Sequence, residues 1–165
     1  MGVNDHKSKA NLPIRCKVVT VSDTRTTETD KSGALIINLL KQQDMNVVDY
    51  EIVKDERDAI QKAIRSTQEV DAILLNGGTG FTKRDVTVDA VQELLDKEMV
   101  GFGELFRFLS YEEIGSASML SRAIAGSMDQ KVIFCMPGST NAVRLAMEKL
   151  ILPELRHLVW ELHRQ

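Results

Sequence analysis

Short apolar runs rich in β-branched residues alternate along the chain with segments of helical periodicity, and this alternation restricts the fold more than any other feature. The predicted strands cover residues 16–22, 45–53, 70–76 and 131–136. Helices are predicted from Ser32, Glu56 and Thr87, with Ser32 and Thr87 as N-cap residues. Strands that alternate with helices of this length form right-handed crossovers in a parallel sheet. The sequence therefore predicts a three-layer, doubly wound α/β fold, with a mainly parallel sheet and helices on both faces.

Two regions depart from this alternation. Residues 101–127 are predicted to form two helical pieces with a bend near Gly115. After the last strand, a helix is predicted to stop near Pro153 and a separate terminal helix to follow it. Residues 1–13 are polar and are predicted to be a flexible tail, and residues 14–165 have the size of a single domain.

Charge, hydrophobicity and cysteine usage indicate what kind of molecule the protein binds and in which compartment it works. The net charge is −3 and the basic residues are spread along the chain, which argues against nucleic acid. No apolar run reaches the ~18 residues that a membrane span needs. Cys16 and Cys135 lie in apolar runs without metal-site spacing, as in a protein of a reducing cytosol. A cytoplasmic protein that binds small molecules or proteins is predicted.

Acidic residues and glycines follow the predicted strands at their carboxyl ends, whereas the amino ends carry ordinary polar residues. The first strand runs into Ser22, its last residue, and Asp23, and the second runs into Lys54 and Asp55. The third and fourth strands run into the glycine-containing segments 77–80 and 137–140. Ligands of open α/β sheets bind beyond the carboxyl ends of the strands. The sequence therefore predicts a ligand site at this edge.

The segment 77–80, GGTG, is predicted to bind phosphate, because glycines let backbone N–H groups approach an anion. Carboxylates beside a phosphate need a cation between them, so Asp55 and Asp85 are predicted to hold Mg²⁺. A Walker A loop is excluded, since Thr82 stands where glycine must precede the lysine. A dinucleotide fingerprint is excluded because it would follow the first strand. A tight strand-to-helix turn without a ligand is the alternative.

Several segments carry more specific motifs in a fixed order along residues 15–160. They are VSDTRTTETDKSG (21–33), KDE (54–56), GGTGFTKRDVT (77–87), GFGELFR (101–107), LSRAIAG (120–126) and MPGSTNAV (136–143). In this order they resemble the MoaB/MogA family of molybdenum cofactor biosynthesis proteins, and TDKSG and PGST resemble its MoaB branch. The resemblance implies a molybdopterin-binding domain that forms trimers or hexamers.

The resemblance also implies roles for individual residues. Asp55 and Asp85 match acidic family positions and would be the catalytic, Mg²⁺-holding residues. The residues expected to bind nucleotide phosphates are Gly77, Gly78, Thr79, Gly80, Arg84, Gly138 and Ser139. The residues expected to bind the pterin are Ser22, Asp23, Glu104, Ser121 and Arg122.

The reaction that the resemblance implies is adenylylation of molybdopterin by Mg-ATP with release of pyrophosphate, followed by transfer to a molybdenum-inserting protein. Thr140 stands where MogA-like enzymes carry proline, so a non-catalytic molybdopterin-binding or carrier protein is the alternative. A flavodoxin-like electron carrier is a third hypothesis, which the aromatic content of 5% disfavours. The spacing of Phe102, Leu105, Phe106 and Leu109 predicts core or subunit interface.

Overall fold

A mixed six-stranded sheet forms the centre of the computed structural model, which describes residues 13–66 and 69–164. The strands are β1 (Arg15–Val21), β2 (Asn46–Val53), β3 (Ala72–Asn76), β4 (Lys97–Glu98), β5 (Ile124–Met128) and β6 (Lys131–Met136). Their order is β2-β1-β3-β6-β5-β4, with the first four parallel and β5 and β4 each antiparallel to its neighbour. The predicted doubly wound, mainly parallel α/β fold is confirmed. The predicted tail, apart from Pro13, lies outside the described residues.

Helices cover both faces of the sheet. They are α1 (Lys31–Gln42), α2 (Arg57–Arg65), α3 (Thr87–Gln92), α4 (Val100–Ile114), α5 (Thr140–Ala146) and α6 (Leu152–His163). Val18, Leu74 and Phe134 are register partners across β1, β3 and β6 and pack with buried residues of α1, α4, α5 and α6. Their neighbours Val19 and Leu75 point to the other face and pack with α2 and α3. The period-2 alternation of each strand therefore fills two separate cores.

The region 101–127 agrees with its prediction in part. Two helical pieces, α4 and a short 3₁₀ helix at Gly115–Leu120, meet at a bend at Gly115 as predicted, but the residues that follow form the strand β5, which was not predicted. A short apolar run does not distinguish helix from strand by periodicity. Gly126 lies in this strand, where a Cβ atom would overlap the backbone oxygen of Lys97 in β4. Close pairing of β5 between β4 and β6 therefore decides the conformation.

The predicted break at Pro153 is also wrong, as are the predicted N-caps. Helical structure continues from α5 to α6 through a π-helical turn at Met147–Ile151, in which the N–H of Leu152 bonds the oxygen of Met147. Pro153 has no N–H to donate to the preceding turn, and the wider π-helical turn lets the helix continue across this missing hydrogen bond. Asp30, not Ser32, caps α1, because its carboxylate accepts a 2.9 Å hydrogen bond from Gly33 N–H. Val86, not Thr87, occupies the cap position of α3.

The two cysteines do not contribute to a surface site. Cys16 and Cys135 are both buried and free, and burial raises the pKa of each thiol to about 12. Within the described part of the chain, no helix combines the length and apolar character needed to cross a bilayer.

Candidate functional site

The glycine segment after β3 adopts backbone geometry that other residues avoid. Gly77 has φ +101° and Gly78 has φ +69°. A Cβ atom on Gly77 would overlap the backbone oxygen of Val21, and one on Gly78 would overlap the hydroxyl of Thr87. Glycine is therefore required twice, for positive φ and for close approach to neighbouring chain segments. The segment passes directly over the end of β1.

Two adjoining clefts open beside this segment at the carboxyl edge of the sheet. The β1-side cleft is lined by Val21, Ser22, Asp23, Thr24, Arg25, Asp55, Gly77, Gly78, Arg84, Asp85 and Gly138. The β5-side cleft is lined by Gly78, Thr79, Gly80, Asp85, Leu120, Ser121, Pro137 and Gly138. Gly78, Asp85 and Gly138 line both clefts and form their boundary. Two ligands bound side by side would therefore meet at Asp85.

Asp85 is held in its ionised form by its own loop. The Oδ2 atom accepts a 2.9 Å hydrogen bond from Thr82 N–H and a 2.6 Å bond from the Thr82 hydroxyl. Burial raises the pKa of Asp85, but the hydrogen bonds from Thr82 and from the backbone of Gly80 outweigh it, so the net pKa is lowered. Asp85 is therefore a carboxylate at neutral pH with a defined orientation.

The pKa of Asp55 shifts in the opposite direction from that of Asp85. Burial raises its pKa, and the charges of Asp23 and Asp85 raise it further, while Arg84 opposes them. Its backbone N–H donates a 3.1 Å hydrogen bond to Asp23 Oδ1, and Arg84 forms an ion pair with the same Asp23 carboxylate. A cation placed between Asp55 and Asp85 would relieve this repulsion.

Asp55 and Asp85 are the side chains that could hold a magnesium ion together with a phosphate ligand. No group of three or more His, Cys, Asp and Glu side chains within residues 13–66 and 69–164 is arranged as a metal cage. Mg²⁺ in phosphate-transfer sites is ordinarily held by one or two carboxylates, with water and substrate phosphates completing the shell. Asp55 and Asp85 meet this lower requirement, because both line the β1-side cleft.

The loop after β6 is anchored to the connection between β1 and α1 and to the first turn of α1. Arg25 Nη2 donates a 3.0 Å hydrogen bond to Gly138 O, and Ser32 Oγ donates a 2.6 Å bond to the same oxygen. Ser139, predicted to bind phosphate, is the N-cap of α5, and its Oγ accepts from Ala142 N–H at 3.2 Å. The segment 137–139 is therefore held rigidly over the edge of both clefts.

Arg122 braces the glycine segment from the other side. Its Nε donates to Gly80 O at 3.1 Å, and its Nη2 donates to Asp85 O at 2.7 Å. Two further bonds of 3.0 Å join its guanidinium to the carboxylate of Asp89. These contacts position the loop, and the predicted contact of Arg122 with a pterin stays a prediction.

Of the other residues predicted to bind the pterin, Ser121 combines a place in a cleft lining with a side-chain oxygen that has no protein partner among the described residues. It lines the β5-side cleft, and its Oγ is buried without a hydrogen-bond partner in the described structure. Ser22 Oγ accepts from the N–H groups of Thr24 and Arg25, so it closes a turn at the rim of the β1-side cleft. Glu104 is exposed on α4 and lines neither cleft. Its assignment stays a prediction.

Several residues that build the site were not predicted. Asp30 is buried and accepts hydrogen bonds from the hydroxyls of Thr20, at 2.6 Å, and Tyr50. It caps α1, which carries Ser32, and its Oδ1 lies 3.7 Å from Arg25 Nη1. The signal for these residues was present in the motif VSDTRTTETDKSG (21–33), which contains Arg25, Asp30 and Ser32. Their partners, however, lie far away in the sequence.

The fold is that of a known class of protein. The model of the family described as a probable molybdopterin binding domain matches residues 17–157. The chain therefore belongs to this family, the MoaB/MogA family of molybdenum cofactor biosynthesis proteins.

Individual relatives agree with this assignment along the whole chain. The chain is 61% identical over 169 residues to molybdenum cofactor biosynthesis protein B of Bacillus cereus, covering 100% of each. A crystal structure of a molybdenum cofactor biosynthesis protein B superposes with TM-score 0.91 at 62% identity, covering 93% of this chain and 98% of that one. The tungsten cofactor synthesizing protein MoaB of Pyrococcus furiosus superposes with TM-score 0.78 at 39% identity, covering 90% and 96%.

Proposed function

We propose that this protein acts in molybdenum cofactor biosynthesis, where it binds molybdopterin and adenylylates it with Mg-ATP, releasing pyrophosphate. The observation that carries the proposal is the pair of clefts that share Gly78, Asp85 and Gly138. A two-substrate transfer needs the two reactants to be held side by side in a reactive orientation, which two adjoining clefts can provide. The β1-side cleft, which holds both carboxylates and Arg84, suits ATP, and the β5-side cleft suits the pterin. This arrangement differs from the roles that the family resemblance implies, because Ser22 and Asp23 line the cleft proposed for ATP, and Thr79 and Gly80 line the one proposed for the pterin.

In the proposed reaction, an oxygen of the terminal phosphate of molybdopterin attacks the α-phosphorus of ATP, and the bond to the leaving pyrophosphate breaks. No protein nucleophile takes part, so the chain contributes binding, orientation and charge. Asp55 and Asp85 would hold Mg²⁺, which when bound neutralises phosphate charge. Of the backbone N–H groups in the glycine segment, those of Gly77 and Gly80 already donate to Met136 O and to Asp85, so those of Gly78 and Thr79 would bind phosphate oxygens. Arg122 keeps the segment in place.

Asp85→Asn tests this assignment. The substitution keeps the size of the side chain but removes its charge at the boundary of the clefts, so turnover should fall by about 10²–10³-fold, while the Kd for molybdopterin changes by less than about threefold. Pyrophosphate release and adenylylated pterin would be measured with purified protein, molybdopterin, ATP and Mg²⁺. Asp58→Asn, an exposed residue of α2 outside both clefts, is the matched control.

The outcomes separate the candidate functions. Turnover by the wild type and by Asp58→Asn but not by Asp85→Asn supports the transferase and the position of Asp85. Equal loss of turnover and of molybdopterin affinity in Asp85→Asn contradicts its proposed role. Tight molybdopterin binding without product in the wild type favours the non-catalytic binding protein instead.

We also propose that the chain forms a homo-oligomer through one face of α4. Leu105, Phe108, Tyr111 and Ile114 follow one another at spacings of three residues, and each exposes more than half of its side chain. The buried face of the same helix carries Phe102 and Phe106, so the core does not use the exposed residues. An exposed apolar stripe on a helix is typical of a protein interface. A molybdenum-inserting partner and a cytoplasmic location belong to the same proposal.

A further inference from the structure

Arg25 occupies an unusual position in the β1-side cleft. It lines the cleft with its side chain about one-third exposed, at 34%. One guanidinium nitrogen, Nη2, donates to Gly138 O at 3.0 Å. The nearest carboxylate oxygen in an ion pair with it, Asp30 Oδ1, lies 3.7 Å from Nη1, which is beyond hydrogen-bonding distance. Most of the five N–H donors of this guanidinium are therefore available to a ligand.

The other cations near the clefts are committed to the protein. Arg84, the second basic residue of the β1-side cleft lining, is paired with Asp23. Arg122 forms a two-bond pair with Asp89 and donates to two backbone oxygens of the glycine loop. Within the described part of the chain, Arg25 is the cation in the cleft lining whose carboxylate partner, Asp30, lies beyond hydrogen-bonding distance.

The charges in the β1-side cleft are also distributed unevenly. Asp55 lies beside Gly78, with its Oδ1 3.2 Å from the position of a Cβ atom there, and Asp85 lies beside Gly80. Arg25 lies beside Gly138, with its Nη1 3.5 Å from the corresponding Cβ position. A phosphate chain in this cleft would meet carboxylates at the glycine segment and a guanidinium at the 137–139 loop.

We propose that Arg25 binds a phosphate group of the ligand in the β1-side cleft, next to Gly138, as a two-donor anion contact. The planar fork of arginine matches two oxygens of one phosphate, which lysine cannot reproduce. This inference deepens the proposed function, on which it rests for the phosphate character of the ligand. It does not require catalysis, because a phosphate would bind there in a carrier protein as well.

A bracing role is the competing explanation, since Arg25 also holds Gly138 O. Ser32 separates the two roles, because its hydroxyl holds the same oxygen but the residue does not line the cleft. Ser32→Ala removes a brace and leaves the cation, whereas Arg25→Gln removes the cation and Arg25→Lys keeps the charge without the fork. Arg144→Gln changes an exposed arginine that pairs with Glu148 on the helix outside both clefts.

The experiment is calorimetric titration of the full chain with pyrophosphate in the presence of Mg²⁺, without molybdopterin or turnover. Arg25→Gln should raise the pyrophosphate Kd by about tenfold or more. Arg25→Lys should lie between Arg25→Gln and the wild type. Ser32→Ala and Arg144→Gln should stay within about twofold of the wild type. Thermal unfolding of each variant measures the bracing contribution separately.

Titrations with ATP and with molybdopterin then identify the source of the phosphate. Loss of ATP affinity alone assigns Arg25 to the nucleotide, and loss of molybdopterin affinity alone assigns it to the terminal phosphate of the pterin. The proposal is overturned if Arg25→Gln keeps the affinities for all three ligands, if Ser32→Ala weakens them as much as Arg25→Gln does, or if the wild type binds none of them. Absence of adenylylation in the wild type would defeat the transferase proposal without affecting this result.

Discussion

Gly78→Ala should destabilise the protein substantially, although it adds only one methyl group. Gly78 has φ +69°, and the left-handed conformation costs a residue with a Cβ atom about 1–2 kcal/mol. The new methyl group would overlap Thr87 Oγ1, lie 3.1 Å from Thr87 Cβ and lie 3.2 Å from Asp55 Oδ1. Overpacking of this kind costs about 1–3 kcal/mol. The free energy of unfolding should therefore fall by about 2–5 kcal/mol.

For a chain of this size, each 1 kcal/mol shifts Tm by about 2–4 °C, so the expected decrease is roughly 4–20 °C. Differential scanning calorimetry measures it directly. Gly101→Ala is the matched control, because Gly101 lies in α4 and a Cβ atom there has no contact within 4 Å. Alanine favours helix over glycine by about 0.5–1 kcal/mol, so the control should keep or raise Tm.

A second variant tests the assigned cause. Thr87 Oγ1 is buried without a hydrogen-bond partner in the described structure, so Thr87→Ala removes the overlapping atom without breaking a hydrogen bond. The double variant Gly78→Ala/Thr87→Ala should be more stable than the sum of the single effects predicts, by about 1 kcal/mol. Additive effects would show that Thr87 is not the obstacle, and a wild-type Tm in Gly78→Ala would refute the whole argument.

Three further predictions concern charge, a buried network and assembly. The pKa of Asp55 in the folded protein is raised, by burial first and then by the charges of Asp23 and Asp85. The free energy of unfolding therefore falls as the pH rises from the pKa of an ordinary aspartate through the pKa of Asp55 in the folded protein. Asp55→Asn should therefore raise Tm at about pH 8 and leave it unchanged in acid below both pKa values; a lower Tm at about pH 8 would contradict this. Tyr50→Phe removes a donor to the buried Asp30 carboxylate and should cost about 1.5–3 kcal/mol in urea unfolding, whereas an unchanged midpoint would exclude a stabilising bond. Phe108→Glu should reduce the mass measured by light scattering, while Lys62→Glu, exposed on α2, should not; an unchanged mass in Phe108→Glu would remove α4 from the interface.

The sheet could be predicted because its central strands carry their information locally. The runs that form β1, β3 and β6 are apolar and β-branched, and all but the first residues of β1 and β6 are buried. The strands β4 and β5 could not be predicted in the same way. β4 has only two residues, and β5, IAGSM, is stabilised by its neighbours on either side. Long-range pairing overrides local pattern in such segments.

The candidate site divides in a similar way. The glycine segment and Asp85 stand out in the sequence because they occupy one short loop, and the Thr82–Asp85 contacts are local. The role of Arg25 depends on Gly138, which lies 113 residues further along the chain. Arg122 reaches Gly80 across 42 residues. A motif reading identifies such residues as polar positions but does not pair them.

By itself, the sequence determined which segments become the central strands, that glycines and carboxylates gather at their carboxyl ends, and which family the chain resembles. Periodicity and residue type are local properties, and parallel strands necessarily bring their carboxyl ends to one edge. Only the tertiary structure decided that Asp30 rather than Ser32 caps α1, that the helix continues past Pro153, and which cations remain available in the cleft. Those outcomes depend on which hydrogen-bond donors and acceptors lie within reach of one another in the folded chain. Residues far apart in the sequence come within that distance only after folding.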